Sequence, residues 1–249
     1  MTIERATTEM GNFYYLAEDA FIGGALRRGI AWEQDVVRAV QRLLPKEGPC
    51  NVIDVGAHVG TLAVPFARSV AGRGCVYAFE PQAIMAELLA RNLELNGCQG
   101  VHIFPYAVGH VDGIEVSMER VIRDGPHADE PFQYEDGRPY NYGGLQLGAG
   151  GQRVTMRTLD SFHFEHVALL KVDAEGAEPL ILWGARDLIR RCRPFILFER
   201  NAKTVTESMR SVTPIPDEAR LFRVEDFVSA LDYGPPTLFG TEQYLLWPE

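Results

Sequence analysis

Residues 50–109 alternate short apolar runs with longer amphipathic segments, and this alternation restricts the fold more than any other feature of the sequence. Three runs, NVIDVG (51–56), CVYAFE (75–80) and VHIFPYAVG (101–109), predict short buried strands. Between them, TLAVPFARSVAG (61–72) and QAIMAELLARNLELNG (82–97) carry apolar residues at helical spacing. A β-α-β-α-β succession of this kind predicts a parallel sheet with helices on both faces, that is, a doubly wound, Rossmann-like α/β fold.

The second half of the chain returns to the same pattern after a break. ALLKVD (168–173) and PFILFE (194–199) predict two more strands, with a helix over EPLILWGARDLIRR (178–191) between them. VEDFVSALDYG (224–234) predicts a C-terminal helix, and PTLFGTEQYLLW (236–247) a closing hairpin. One α/β domain therefore accounts for most of the chain.

Two regions fall outside this core. Apolar residues at helical spacing predict that residues 12–45 are helical, so residues 1–48 are interpreted as a helical N-terminal extension or lid. Residues 49–249 form the predicted α/β domain, with a substrate-side insertion at about 119–152. The insertion is rich in glycine, proline and aromatic residues, and long loops in compact domains are usually functional or disordered.

Composition excludes several classes of protein. A formal net charge of −10 repels polyanions, which argues against a nucleic-acid partner. The four cysteines form no CxxC pair, which argues against a zinc or iron–sulfur site. No stretch is apolar enough for a signal peptide or a membrane span, so a cytoplasmic protein without a membrane partner is expected.

The loop after the first core strand has a D-x-G-x-x-x-G pattern from Asp54 to Gly60. Gly56 allows a tight turn and close backbone approach at the carboxyl end of a strand, where open α/β sheets bind ligands. A dinucleotide site usually has a second glycine two residues later, but this chain has His58. The loop therefore favours a cofactor without a pyrophosphate, and Asp54 favours one with an ammonium or sulfonium group.

Glu80 ends the second core strand, twenty residues after Gly60. A carboxylate at this place can accept hydrogen bonds from both hydroxyls of a ribose. The predicted cofactor is therefore a nucleoside with a free 2′-hydroxyl.

Six stretches resemble the class I S-adenosylmethionine-dependent methyltransferases and, more narrowly, the FkbM family of O-methyltransferases. They are VIDVGAHVG (52–60), AFEP (78–81), PYAVG (105–109), LD (159–160), LLKVDAEGAEPLILWGA (169–185) and PFILFE (194–199). The KVDAEGAE part is the most specific of these matches. The resemblance implies a seven-stranded sheet with a reversed last pair and S-adenosylmethionine as cofactor, with S-adenosylhomocysteine as product.

The resemblance also implies roles for individual residues. Asp54, Gly56, Ala57 and Gly60 would line the methionine part of the cofactor, Glu80 would hold the ribose, and Ala107 and Val108 would flank the adenine. His58 replaces an asparagine that is common in the family, so its own contact stays open. The full predicted cofactor-binding set is Asp54, Gly56, Ala57, His58, Gly60, Glu80, Pro81, Ala107, Val108 and Asp173.

Carboxylates follow the fourth and fifth core strands. Side chains alternate along a strand, so Lys171 and Asp173 are expected on one face, where they would be paired if buried. Asp173, Glu175 and Glu199 lie at strand ends beside the expected methyl group and are the predicted catalytic residues, with Asp173 or Glu175 the first candidate for the base. These carboxylates could instead bind a divalent cation, although no metal site is predicted.

The end of the insertion carries the predicted substrate-binding residues, Tyr140, Asn141, Tyr142 and Gly143. Aromatic faces bind sugars and flat rings, so this segment is interpreted as part of a substrate lid. A surface loop with its aromatic residues packed underneath is the alternative.

Together these features predict an S-adenosylmethionine-dependent O-methyltransferase that acts on a hydroxyl of a small-molecule natural product or a glycoside. Two alternatives stay open: an oxidoreductase with an NAD-type cofactor, and a non-catalytic module that binds S-adenosylmethionine. Whether the chain forms a homo-oligomer is also open.

Overall fold

The fold is taken from a computed structural model, which describes most of the chain. The described residues are 1–119, 142–144, 147–148, 150–200, 220–223 and 242–247, with backbone only at 119, 150, 199–200, 220–223 and 242–247. The C-terminal helix predicted over 224–234 lies outside these residues.

The predicted doubly wound α/β architecture is confirmed. A mostly parallel sheet of seven strands forms the centre, in the order β11-β12-β10-β9-β3-β4-β5. Its strands are β3 (Asn51–Val55), β4 (Val76–Phe79), β5 (Val101–Phe104), β9 (Val167–Val172), β10 (Phe195–Arg200), β11 (Arg220–Arg223) and β12 (Glu242–Trp247).

The order of the strands reverses beside β3. The chain runs outward from β3 through β4 to β5, then returns to the other side of β3 as β9 and β10. β12 runs antiparallel to β10 and to β11, its neighbours in the sheet. Open sheets of this kind bind ligands in the crevice at the point of reversal, here between the loops that follow β3 and β9.

The helices predicted within 61–72 and 82–97 are confirmed, whereas the single helix predicted over 178–191 is two helices, with Gly184 and Ala185 between them. α3 (Ala63–Val70) tolerates Pro65 because the residue falls in its first turn, where no intrahelical N–H is lost. The others are α1 (Ile22–Arg27), α2 (Gln34–Leu43), α4 (Ala83–Leu95), α5 (Glu178–Trp183) and α6 (Arg186–Cys192). Apolar clusters fill the space between helices and sheet, with Val36, Phe66 and Leu169 in one and Ile53, Leu170 and Ile181 in another.

The prediction of a helical N-terminal extension is wrong for its first part. Residues 3–16 form a hairpin of β1 (Ile3–Thr8) and β2 (Gly11–Leu16), and helices α1 and α2 follow it. In β2, Phe13 and Tyr15 are buried, whereas Asn12 and Tyr14 are partly exposed, which is the two-residue period of a strand. The helical spacing counted from residue 31 onward does not extend back into this segment.

Two asparagines of α4 fix the hairpin to the core. Asn92 accepts a hydrogen bond from Tyr14 N (2.6 Å) and donates to Tyr14 O (2.9 Å) and to Val59 O (2.8 Å). Asn96, one turn later, accepts from Asn12 N (3.0 Å) and donates to Asn12 O (2.6 Å). These amides pair with the free edge of β2 as a neighbouring strand would, and Asn92 links that edge to the glycine loop.

A small second sheet carries the insertion. Pro105 and Tyr106 separate β5 from β6 (Ala107–Val108), which pairs with β8 (Gly150–Arg157). β8 in turn pairs antiparallel with β7 (Glu115–Glu119), down to the pair Glu119 and Gly150. The insertion predicted at about 119–152 therefore leaves and re-enters the fold at one end of this strand pair.

Candidate active site

The glycine loop follows β3 and bends back against two neighbouring strands. Gly56 has φ +77°, and its N–H and that of Ala57 both donate to Phe79 O at 3.0 Å. A Cβ on Gly56 would lie 1.9 Å from Asp173 O, so only glycine allows the loop to pack against the end of β9. At Gly60 the left-handed φ of +89° favours glycine, and a Cβ there would lie 2.6 Å from Leu89 Cδ1, the end of a flexible side chain on α4.

His58 lies at the middle of this loop in a left-handed conformation, with φ +48°. Its ring is buried, and neither ring nitrogen has a hydrogen-bond partner among the described residues. Burial, together with the smaller effect of the positive charge of Lys171, lowers the pKa of His58 to about 3. The ring is therefore a neutral imidazole, with one nitrogen able to donate and the other able to accept.

Glu80 is buried at the end of β4, directly beside the loop. Its Oε2 accepts the His58 N–H and its Oε1 accepts the Gln82 N–H, both at 2.8 Å. Burial raises the pKa of Glu80 to about 7, against the opposing effect of these two N–H groups. Because a carboxylate offers about four acceptor sites, each oxygen retains capacity for one more donor, which fits the two hydroxyls of a ribose.

A buried ion pair joins the loop to the fourth core strand. Asp54 and Lys171 are neighbours in the register of β3 and β9, and Lys171 Nζ lies 3.1 Å from Asp54 Oδ1. The same ammonium lies 3.6 Å from Asp173 Oδ2, as the strand alternation predicts. Burial opposes the charge of Lys171, but the two carboxylates outweigh it and raise its pKa, so the side chain is an ammonium.

The predicted catalytic carboxylates differ in exposure and in how far the structure describes them. The side chain of Asp173 is 28% exposed at the carboxyl end of β9, while its backbone oxygen faces Gly56. Glu175 follows in a left-handed conformation with φ +52° and is partly buried. Glu199 belongs to β10, but its side chain lies outside the described residues.

Glu178 shapes the turn that carries these carboxylates. Its Oε1 accepts hydrogen bonds from Ala174 N (2.9 Å) and Gly176 N (3.2 Å), while burial raises the pKa of Glu178. This acceptor satisfies N–H groups ahead of α5 that would otherwise be unpaired. Glu178 is therefore a structural residue of the turn.

The residues predicted to flank the adenine are buried strand residues. Val108 packs in one apolar cluster with Val55 and Phe79, the last residues of β3 and β4. Ala107 belongs to the small sheet, in a cluster with Met118. Their assignment to the adenine stays a prediction, as does that of Pro81.

The predicted substrate-binding residues are described in part. Tyr140 and Asn141 lie outside the described residues, whereas Tyr142 and Gly143 lie within them. Tyr142 is buried in the apolar cluster that includes Ala57 of the glycine loop. This end of the insertion thus shares an apolar cluster with the loop, although contact with a substrate stays a prediction.

Two residues of the site were absent from the predicted set. Lys171 was expected only as a paired strand residue. Its ammonium has four oxygen neighbours, which come from β3, the loop after β3 and the turn after β9. Gln82 had no signal in the sequence, yet its N–H donates to Glu80 and its Nε2 donates to Tyr142 O at 2.8 Å. Gln82 therefore connects the predicted ribose carboxylate to the insertion.

Metal binding and membrane insertion both require recognisable groups of residues. Within the described residues, no three side chains of His, Cys, Asp or Glu are grouped as metal ligands would be. None of the helices in the described ranges combines the length and apolar composition needed to span a bilayer.

The fold and the loop at its carboxyl edge define a doubly wound α/β domain with a glycine loop at its ligand-binding edge. Residues 54–224, more than half of the chain, match the sequence family described as the methyltransferase FkbM domain. The chain belongs to this family, and its cofactor is S-adenosylmethionine. The resemblance found in the sequence motifs is thereby confirmed.

Solved structures with a similar fold include three methyltransferases. Methyltransferase FkbM from Methylobacillus flagellatus KT has 17% identity and a TM-score of 0.48, with 80% of this chain and 43% of that chain covered. The tRNA (uracil-54, C5)-methyltransferase of Pyrococcus abyssi has 12% identity, a TM-score of 0.47 and coverage of 99% and 43%. The SAM-dependent O-methyltransferase of Thermotoga maritima has 15% identity, a TM-score of 0.48 and coverage of 98% and 76%.

The chain thus spans 43% of the length of the first two structures. No curated protein matches the chain in sequence. The family assignment rests on the sequence match over residues 54–224.

Proposed function

We propose that this protein transfers the methyl group of S-adenosylmethionine to a hydroxyl oxygen of a small molecule, a natural product or a glycoside. One observation carries the proposal. The partly exposed carboxylate of Asp173 lies at the carboxyl end of β9, and the backbone of the same residue packs against Gly56 of the cofactor loop.

The described residues offer groups that match the parts of the cofactor. Gly56 and Gly60 have no side chains, so the backbone of the loop is accessible at these two positions. The Oδ2 of Asp54 and both ring nitrogens of His58 are buried without hydrogen-bond partners in the described part of the chain. These groups suit the polar methionine end, and Glu80 suits the ribose. When bound, S-adenosylmethionine supplies a methyl group on a positively charged sulfur, which the net negative charge of this site favours.

Asp173 acts on the acceptor in this proposal. An alcohol loses its proton as it accepts a methyl group, so a carboxylate within hydrogen-bond reach assists the reaction as a base. Much of the remaining rate comes from holding the hydroxyl in line with the methyl group. Glu175, two residues later in the same turn, is the second candidate for this role.

The residues after β9 favour oxygen over nitrogen as the acceptor. They read Asp173-Ala174-Glu175-Gly176, and Glu178 holds this turn through Ala174 N and Gly176 N. Methyltransferases of amino groups on bases and amides often have an Asn/Asp-Pro-Pro-aromatic motif at this place. An acidic turn suits the deprotonation of a hydroxyl better than the binding of an amide nitrogen.

The first experiment measures thermal stability with S-adenosylmethionine, S-adenosylhomocysteine or NAD. We expect stabilisation by the first two compounds, because a ligand that binds only the native state raises the melting temperature. Stabilisation by NAD alone would overturn the proposal.

The second experiment follows transfer of labelled methyl groups to a panel of hydroxylated acceptors, with and without a chelator. Turnover that Asp173→Asn abolishes is the expected result. A panel of amine analogues serves as the comparison, and methylation of amines in place of hydroxyls would refute the choice of oxygen. Cofactor binding without any turnover would support the non-catalytic module.

A further inference from the structure

Lys171 lies in the middle of the central sheet, where a charged residue is unusual. It is 2% exposed on β9, between β3 and β10. Lysine is almost never buried to this degree unless it is paired. The surroundings of its ammonium therefore indicate what the residue does.

Four oxygens surround the ammonium. Nζ donates to Gly56 O at 2.9 Å and to Val55 O at 3.2 Å, and it lies 3.1 Å from Asp54 Oδ1 and 3.6 Å from Asp173 Oδ2. An ammonium has three donors, and the two carbonyls use two of them. Only one of the four oxygens, that of Asp54, belongs to a fully buried carboxylate.

The four oxygens come from two segments that meet at the crevice. Val55 O and Gly56 O belong to the end of β3 and the start of the cofactor loop, whereas Asp173 begins the turn after β9. The two segments also touch directly, since Asp173 N donates to Val55 O at 3.2 Å and Asp173 O faces Gly56. Lys171 therefore joins the loop that holds the cofactor to the carboxylate that meets the acceptor.

The ion pair with Asp54 and the contacts at the crevice are separable. Asp54 is 0% exposed, so it needs a counter-ion for the protein to be stable, and Lys171 provides it. The hydrogen bonds to Val55 O and Gly56 O and the approach to Asp173 reach beyond this pair, to the cofactor loop and to the turn after β9. They fix the distance between the loop and the Asp173 side chain.

We propose that Lys171 is a positioning residue for methyl transfer, which holds the Gly56 carbonyl and the Asp173 carboxylate on one ammonium so that cofactor and base keep their separation. The inference rests on the proposed function. It assigns to Lys171 a role beyond neutralising Asp54.

The test removes the structural role first. In an Asp54→Asn background no buried carboxylate of β3 needs a counter-ion, so Lys171→Met removes the ammonium with little further cost in folding. Titration calorimetry gives the dissociation constants of S-adenosylmethionine and S-adenosylhomocysteine for Asp54→Asn and for Asp54→Asn/Lys171→Met. We expect the second change to weaken binding about tenfold to a hundredfold, because charge-assisted hydrogen bonds to the loop are lost.

Turnover with a hydroxylated acceptor provides the second measurement. Loss of position at Asp173 should lower kcat about a hundredfold while KM for the acceptor changes little. The matched control is Lys46→Met, since Lys46 is exposed and, among the residues that the structure describes, donates only to Gln41 O at 3.0 Å. If Lys171 only neutralises Asp54, the double variant will bind and turn over like Asp54→Asn, and the inference is wrong.

Two other experimental results also bear on the role of Lys171. If the methionine variant does not fold, Asp54→Asn/Lys171→Gln carries the same comparison, because an amide can still donate to one carbonyl. If the wild type binds the cofactor but methylates no hydroxyl, the proposed function fails alone, and the binding constants still decide whether Lys171 positions the loop.

Discussion

Substitution of Gly56 by alanine tests whether the cofactor loop depends on its close approach to Asp173. The added Cβ would lie 1.9 Å from Asp173 O, whereas such contacts essentially never fall below 3.0 Å. The left-handed φ costs about 1–2 kcal/mol, the smaller unfolded-state entropy returns about 0.4–1 kcal/mol, and the clash adds about 1–3 kcal/mol. We expect Gly56→Ala to lower the free energy of unfolding by about 2–4 kcal/mol in total.

Gly72 provides a matched control for the backbone contribution. Its φ is +75°, close to the +77° of Gly56, but nothing lies within 4 Å of an added Cβ. Gly72→Ala should therefore cost only about 1 kcal/mol, or about 2–4 °C in melting temperature, and keep the thermal shift caused by S-adenosylmethionine. Gly56→Ala should lose about 4–16 °C together with that shift. Equal losses for the two variants, measured by thermal melts, would refute the role given to the close approach.

The remaining predictions concern buried polar groups. The raised pKa of Glu80 stabilises the fold below about pH 4.5, and this stabilisation is lost as the pH rises through about 7. The lowered pKa of His58 stabilises the fold above about pH 6.5, and this stabilisation is lost as the pH falls toward about 3. Between about pH 4.5 and 6.5 the two changes of stability with pH cancel in the wild type. Urea unfolding in this range should therefore show a stability that rises with pH in Glu80→Gln and falls with pH in His58→Asn. The same dependence on pH in the wild type and both variants would contradict the burial of these groups. Asn92→Leu leaves three backbone groups unpaired and should lower the free energy of unfolding in urea by about 3 kcal/mol or more. Because Asn96 is partly exposed, Asn96→Leu should lower it by about 1 kcal/mol. Equal costs would show that the burial of Asn92 does not matter.

The sequence was sufficient for the parallel core because its physical signals are local. The apolar runs at β3, β4 and β9 correspond to strands that are mostly buried, and the spacing of apolar residues in QAIMAELLARNLELNG predicts α4 within a residue at its start. The alternation of side chains along β9 also predicted that Lys171 and Asp173 share a face. These features depend only on neighbours in the chain.

The N-terminal hairpin shows where local signals fail. Residues 3–16 do not have enough apolar side chains to form a stable hairpin alone, and the strand pair is completed by Asn92 and Asn96, roughly eighty residues away in the chain. A pattern read along the sequence contains no trace of that partner. The same limit applies to Gln82, because its hydrogen-bond partner Tyr142 lies 60 residues later in the chain, within the insertion.

The sequence by itself determined the doubly wound fold, the family and the identity of the cofactor, because glycines and carboxylates at strand ends can be recognised by their spacing. Tertiary structure alone decided the chemical state and the partners of these groups. Burial makes His58 a neutral imidazole and raises the pKa of Glu80 to about 7, and the meeting of β3 with β9 places Lys171 among four oxygens. Desolvation and distance are properties of the folded protein, since both depend on residues that are far apart in the chain.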